Sequence, residues 1–154
     1  MERMTIPMEE LMKVISLQLE NGQAELTVTG DSMYPTLWHL RDRVYLEKRT
    51  PKKRDIILYK RENGKYVLHR IVGLRPGGFW CSGDNQWEKE AVDPEQVIAV
   101  VVRICRNGKE LSIEDSGYDL RIRLWTAMMP VRKPVLAARR RLGAWRRAIR
   151  RTLR

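Results

Sequence analysis

Histidine, cysteine and phenylalanine are scarce in this chain: two, two and one among 154 residues. So few cysteines exclude a disulfide framework, and Cys81 and Cys105 do not form a CxxC metal motif. The expected state is two free, half-buried thiols in a reducing compartment, a single bridge between them being the alternative. Long apolar runs are missing too. Nothing approaches the ~20 apolar residues of a spanning helix. Glu9, Glu10 and Lys13 interrupt the opening stretch, so no signal-peptide core is expected there. The expected location is cytoplasmic, at most peripheral to a membrane. Acidic residues vanish after Asp119. Residues 119–154 hold 12 basic residues against that one acid, whereas residues 1–118 hold 18 of each sign. The whole net charge of +11 therefore belongs to the C-terminal segment. This excludes a uniformly basic nucleic-acid binder and describes a neutral globular module with a basic appendage. With 43% hydrophobic and 32% charged residues, the chain can bury a modest core and is not a disordered polymer.

The hydrophobic pattern divides the chain into three parts: an N-terminal helix within 1–22, a β domain over 23–118 and a basic tail over 119–154. Met8, Leu11, Met12, Ile15 and Leu19 recur at helical spacing, and Asn21-Gly22 ends that helix. Ala24–Thr29 alternates as a strand, and Gly30 breaks it. Further strands are expected at Arg43–Lys48, Asp55–Lys60, Lys65–Leu74, Phe79–Ser82, Gln96–Cys105 and Glu110–Ile113. Asn63-Gly64 and Asn107-Gly108 mark hairpin turns. Short strands with little helix between them predict a mainly β fold, a compact antiparallel sheet or partly open barrel. After Pro134, Val135, Ala138, Leu142, Trp145, Ile149 and Leu153 form an apolar stripe. Arg139, Arg140, Arg141, Arg146, Arg147, Arg150, Arg151 and Arg154 surround it, which describes an amphipathic basic helix.

Three segments carry chemistry. In Thr29-Gly30-Asp31-Ser32-Met33-Tyr34-Pro35-Thr36-Leu37, a glycine two positions before a serine lets the chain turn sharply as a strand ends. A serine on such a turn, ringed by backbone N–H groups, can attack a carbonyl and hold the oxyanion; an ordinary serine turn is the plainer alternative. His69 lies inside an alternating strand next to Arg70, so the two side chains point to opposite faces. An imidazole there can serve as a general base, or be a satisfied core histidine. His39, in a polar loop, reads as surface. Ser82-Gly83-Asp84-Asn85-Gln86 is a turn that fixes one carboxylate beside the sheet. Asp84 could orient His69, with Glu88, Glu90 and Asp93 as competitors for that role.

Taken together, Gly-x-Ser-Met-x-Pro-Thr, Arg-Asp-Ile-Ile-Leu-Tyr, His-Arg-Ile-Val and Gly-Asp-Asn follow one another over about Glu25 to Val102. This order resembles the S24/S26 serine peptidase superfamily, which holds the type I signal peptidases and the self-cleaving SOS-type repressors. The resemblance implies Ser32 as nucleophile and His69 as base, in place of the lysine usual in bacterial signal peptidases and similar to the archaeal, endoplasmic-reticulum and spore-former type. Asp84 matches the acid of Gly-Asp-Asn, and Glu90 or Asp93 loosely matches a further acid of the eukaryotic type. The implied fold is that of the signal-peptidase and SOS-repressor C-terminal domain. The implied activity is a serine endopeptidase acting on leader- or signal-like peptides, with no cofactor or metal. Its substrates would dock as an added strand, with small residues before the cut.

The chain departs from those families in places. Gly30 stands where a typical signal peptidase has a serine, so backbone N–H groups of the 30–33 elbow, that of Ser32 included along with Gly30, Asp31 and Met33, would carry the oxyanion. Tyr34, Pro35 and Leu37 are expected to wall the substrate groove, with Met33 shared between groove and core. Neither Ala-Gly nor Cys-Gly occurs, which disfavours self-cleavage. The alternative function is a catalytically inactive peptide-binding or regulatory module. For the basic helix over 135–154, an anionic membrane surface is the favoured partner, ahead of nucleic acid or the chain's own domain.

Overall fold

The structure, a computed structural model, describes residues 7–111 and 113–152, without the side chains of 149–152. Leu153 and Arg154 of the expected tail lie outside the described residues, as do the side chains of Ile149, Arg150 and Arg151. The elements are α1 (Met8–Glu20), β1 (Ala24–Thr27), β2 (Asp42–Glu47), β3 (Ile56–Lys60), β4 (Tyr66–Arg75), β5 (Gly78–Ser82), β6 (Glu90–Val92), β7 (Val97–Arg106), β8 (Lys109–Leu111), α2 (Ser116–Ala127) and α3 (Arg132–Thr152). All strand pairings are antiparallel. The sheet runs β1-β2-β7-β3-β4-β5-β6 and is not closed, with β8 on the remaining length of β7. The mainly β architecture with a short N-terminal helix and a C-terminal helix is as the pattern implied.

Strand β3 explains how the sheet holds two cores. Its run Ile56-Ile57-Leu58-Tyr59 is buried throughout, and the period of two sends alternate side chains to opposite faces. Ile56 and Leu58 join Val44, Leu46, Ala99, Val101 and Ile104 in one cluster, which Met12, Ile15 and Leu19 of α1 cover. Burying side chains of that kind contributes about 1.5–3 kcal/mol each. Ile57 and Tyr59 join Ile71, Cys81, Val92 and Val100 in the other.

Two elements were not foreseen. The three-residue strand β6 pairs Phe79, Trp80 and Cys81 of β5 with Val92, Ala91 and Glu90. Helix α2 begins before the expected boundary at 119, and the tail packs on the β domain. Ile122, Met129, Arg132 and Leu136 are buried. The Arg132 guanidinium donates to the Trp125 carbonyl at 2.8 and 3.1 Å, and Trp125 Nε1 donates to the Asp84 carbonyl at 3.1 Å. Arg139 lies over the Tyr34 ring and Arg140 over Trp87. No helix among the described residues is long and apolar enough to cross a membrane.

Candidate active site

Gly30 opens the elbow with φ of 83°, a left-handed conformation that a side chain would strain. Its N–H donates to Nδ1 of His39 at 2.8 Å, so His39, exposed as expected, also props the turn. Tyr34 N–H returns to the Asp31 carbonyl at 3.1 Å, which curls the chain tightly around Ser32. The N–H groups of Asp31, Ser32 and Met33 have no hydrogen-bond partner among the described residues. That corrects the expected oxyanion set at one position: Gly30 has already spent its donor on His39, and Asp31, Ser32 and Met33 hold the free ones.

The Gly83-Asp84-Asn85 turn supports the elbow from behind. Asn85 donates its backbone N–H to the Ser32 carbonyl at 2.8 Å and its side-chain amide to the Asp31 carbonyl at 3.1 Å. Gly83 is needed because a Cβ there would sit 2.4 Å from the Ser32 carbonyl oxygen. Asp84 is fully buried. It accepts from Arg70 Nε and Nη at 2.8–3.2 Å and from Thr36 Oγ1 at 2.5 Å. Burial works against the Arg70 charge, yet Asp84 keeps the guanidinium firmly protonated. Asp84 thus ties the exit of the elbow to β4, and no hydrogen bond joins it to His69. The alternation of β4 is the reason: Arg70 takes the face toward Asp84, which sends His69 to the other.

On that other face the partner is Glu90. Its Oε1 lies 3.1 Å from His69 Nδ1, and the Tyr59 hydroxyl lies 3.1 Å from the same nitrogen. Tyr59 donates a short hydrogen bond to Glu90, and Arg61 grips the carboxylate through two nitrogens at 2.6 and 2.8 Å. Burial and the Glu90 hydrogen bond push the Tyr59 hydroxyl far up, so it stays a donor. Burial raises Glu90, but the bonds from Arg61 and Tyr59 outweigh it and hold the carboxyl below its ordinary range. His69 is 3% exposed. Burial lowers its pKa to about 4 against the opposing pull of Glu90, so the ring is neutral at physiological pH. An ionised carboxylate facing Nδ1 favours the tautomer with the proton on Nδ1, which leaves Nε2 as the basic nitrogen.

Ser32 and His69 line one cavity of about 280 Å³, together with Met12, Leu26, Val28, Leu58 and Leu68. Ser32 is half-buried and is not hydrogen-bonded to the imidazole. The expected groove wall lies elsewhere. Leu37 is fully buried in the core, and Met33, at 2% exposure, packs there while bordering the cavity. Tyr34 leans on Trp38 beneath Arg139. Pro35 lines a separate cavity of about 520 Å³ against α2 and β7–β8. Because the turn curls back after Ser32, Met33 and Leu37 point into the body, and α1, β1 and β3–β4 form most of the cavity wall. Of the other acids weighed, Asp93 pairs with Arg75 and caps the turn before β7. Sequence reasoning did not find Tyr59 or Arg61. The available signal was strand register, which places Tyr59 two residues from the Ile57 that faces His69.

No protein-family model matches the chain, and no curated protein matches it either.

Proposed function

We propose that the chain is a serine endopeptidase of the S24/S26 type, acting on leader- or signal-like peptides through Ser32 and His69, with Glu90 as the orienting acid. The observation that carries this reading is the shared cavity: the hydroxyl and the imidazole both line it, and Glu90 engages the imidazole at Nδ1. A neutral ring with its proton on Nδ1 has the form a general base needs. Ser32 Oγ attacks the peptide carbonyl and passes its proton to His69 Nε2. The free N–H groups of residues 31–33 receive the oxyanion. His69 returns the proton to the leaving amine as the C–N bond breaks, and water, activated the same way, releases the acyl group.

The apolar cavity suits a small aliphatic side chain. Strand β1 ends the sheet, so one of its edges is open to an added peptide strand beside the elbow. The second reading is an inactive peptide-binding or regulatory module, favoured by the missing Ser32–His69 hydrogen bond. A fluorophosphonate probe separates the two. It should label the purified chain, and neither Ser32→Ala nor His69→Ala should be labelled. An unlabelled wild type that still binds extended peptides would establish the module.

A further inference from the structure

The α2–α3 pair commits one face to the sheet and leaves another bare. Ile122, Met129, Arg132 and Leu136 are buried, whereas Leu120, Leu124, Met128, Val131 and Val135 are exposed. Leu142 and Trp145 are the barest large apolar side chains among the described residues of α3, at 58% and 64%. At about 100° per residue, Val135, Ala138, Leu142 and Trp145 fall within an arc of about 80° that excludes the buried Leu136. On the same helical count Arg141 borders this stripe on one side, and Arg139 and Arg146 on the other.

Charge identifies the occupant. Asp119 is the last acid of the chain, and it is engaged by Arg54 and Arg123. Arg141, Arg146 and Arg147 therefore have no carboxylate partner among the described residues. A nucleic acid would match these cations and leave the leucines and tryptophan in water. An anionic bilayer surface satisfies both sets: lipid phosphates take the guanidinium groups, and the stripe enters the boundary between headgroups and acyl chains. The helix lacks the apolar length to cross, so it would lie in the plane of the interface.

We propose that α2 and α3 form a peripheral binding surface for anionic phospholipid membranes, with Leu142 and Trp145 as the inserted residues. This stands independently of the peptidase reading.

The test is sedimentation of the full chain with two kinds of vesicle, phosphatidylcholine alone and phosphatidylcholine with about one-third phosphatidylglycerol. Binding should be at least about tenfold stronger on the anionic vesicles, and the double variant Leu142→Glu with Trp145→Glu should lose at least about tenfold. Both positions are exposed, and thermal melting checks that the variant folds. Should it not fold, the triple variant Arg141→Gln, Arg146→Gln, Arg147→Gln, changed only at exposed positions, should show the same loss. A wild type that fails to bind anionic vesicles overturns the proposal, as does binding unaffected by the glutamates. Preferential binding to duplex DNA that survives the Leu142→Glu and Trp145→Glu changes would also overturn it and assign the surface to nucleic acid.

Discussion

Glu90 Oε1 and His69 Nδ1 lie 3.1 Å apart, while the carboxylate of Asp84 is spent on Arg70 and Thr36. Two acids that the sequence offers for one role therefore do different work. Removing one partner of a buried ion pair strands the other charge, so Asp84→Ala should cost about 3–5 kcal/mol in urea denaturation. Glu90→Gln keeps the shape of a partly exposed side chain and should cost less than about 2 kcal/mol. Its effect should appear in kcat/KM, as a loss of about a hundredfold or more on a leader-type peptide. A stable Asp84→Ala variant, or a fully active Glu90→Gln, would reverse the two roles.

The pH dependence of stability follows from His69. Its folded-state pKa of about 4 lies below the ordinary 6.5. Between those values the unfolded chain holds more protons than the native one, so stability is present at and above neutral pH and is lost as pH falls through that window. The loss amounts to about 3 kcal/mol. Urea midpoints measured from neutral pH down to about 4 should decline, and His69→Gln should flatten the decline. The acid limb of kcat/KM should sit well below pH 6.5 for the same reason. A limb at the ordinary histidine value would contradict the burial of the ring.

Gly83→Ala brings a methyl group within 2.4 Å of the Ser32 carbonyl oxygen and 3.0 Å of the Gln86 side chain. The backbone must shift, at a cost of about 1–3 kcal/mol. Because Asn85 holds the same carbonyl, labelling of Ser32 by a fluorophosphonate should slow even where the protein remains folded. Unchanged labelling would mean that the turn does not position the elbow.

Where the sequence was legible, the pattern was strong and local. The period of two in Tyr66–Arg75 fixed His69 and Arg70 on opposite faces, and Asn63-Gly64 and Asn107-Gly108 marked the hairpins. Glu90 stood among the acids the sequence offers, but its selection over Asp84 was not legible, because it depends on β6. Three residues, Glu90-Ala91-Val92, are too few to show a period, and they form a strand only by pairing with β5. The helical spacing after Pro134 predicted an amphipathic helix and did not show which side packs on the sheet. Leu136 and Arg132, absent from the apolar stripe, are the buried residues, since the contacts of Trp125, Gly83 and Tyr34 decide which side faces the sheet. The groove wall failed for a similar reason: the curl after Ser32 is set by contacts from Asn85, which is distant in sequence.

The Gly83–Asn85 turn is gripped from two directions. Ser32 and Asp31 bind it through Asn85, while Trp125 and Arg132 reach its Asp84 and Gly83 carbonyls. A minimal fragment stopped at residue 118 would keep every strand yet strip away the backing plate of the turn that holds Ser32. Anyone trimming this chain for crystallisation or fusing a tag to its end should treat residues through Arg140 as part of the frame around Ser32.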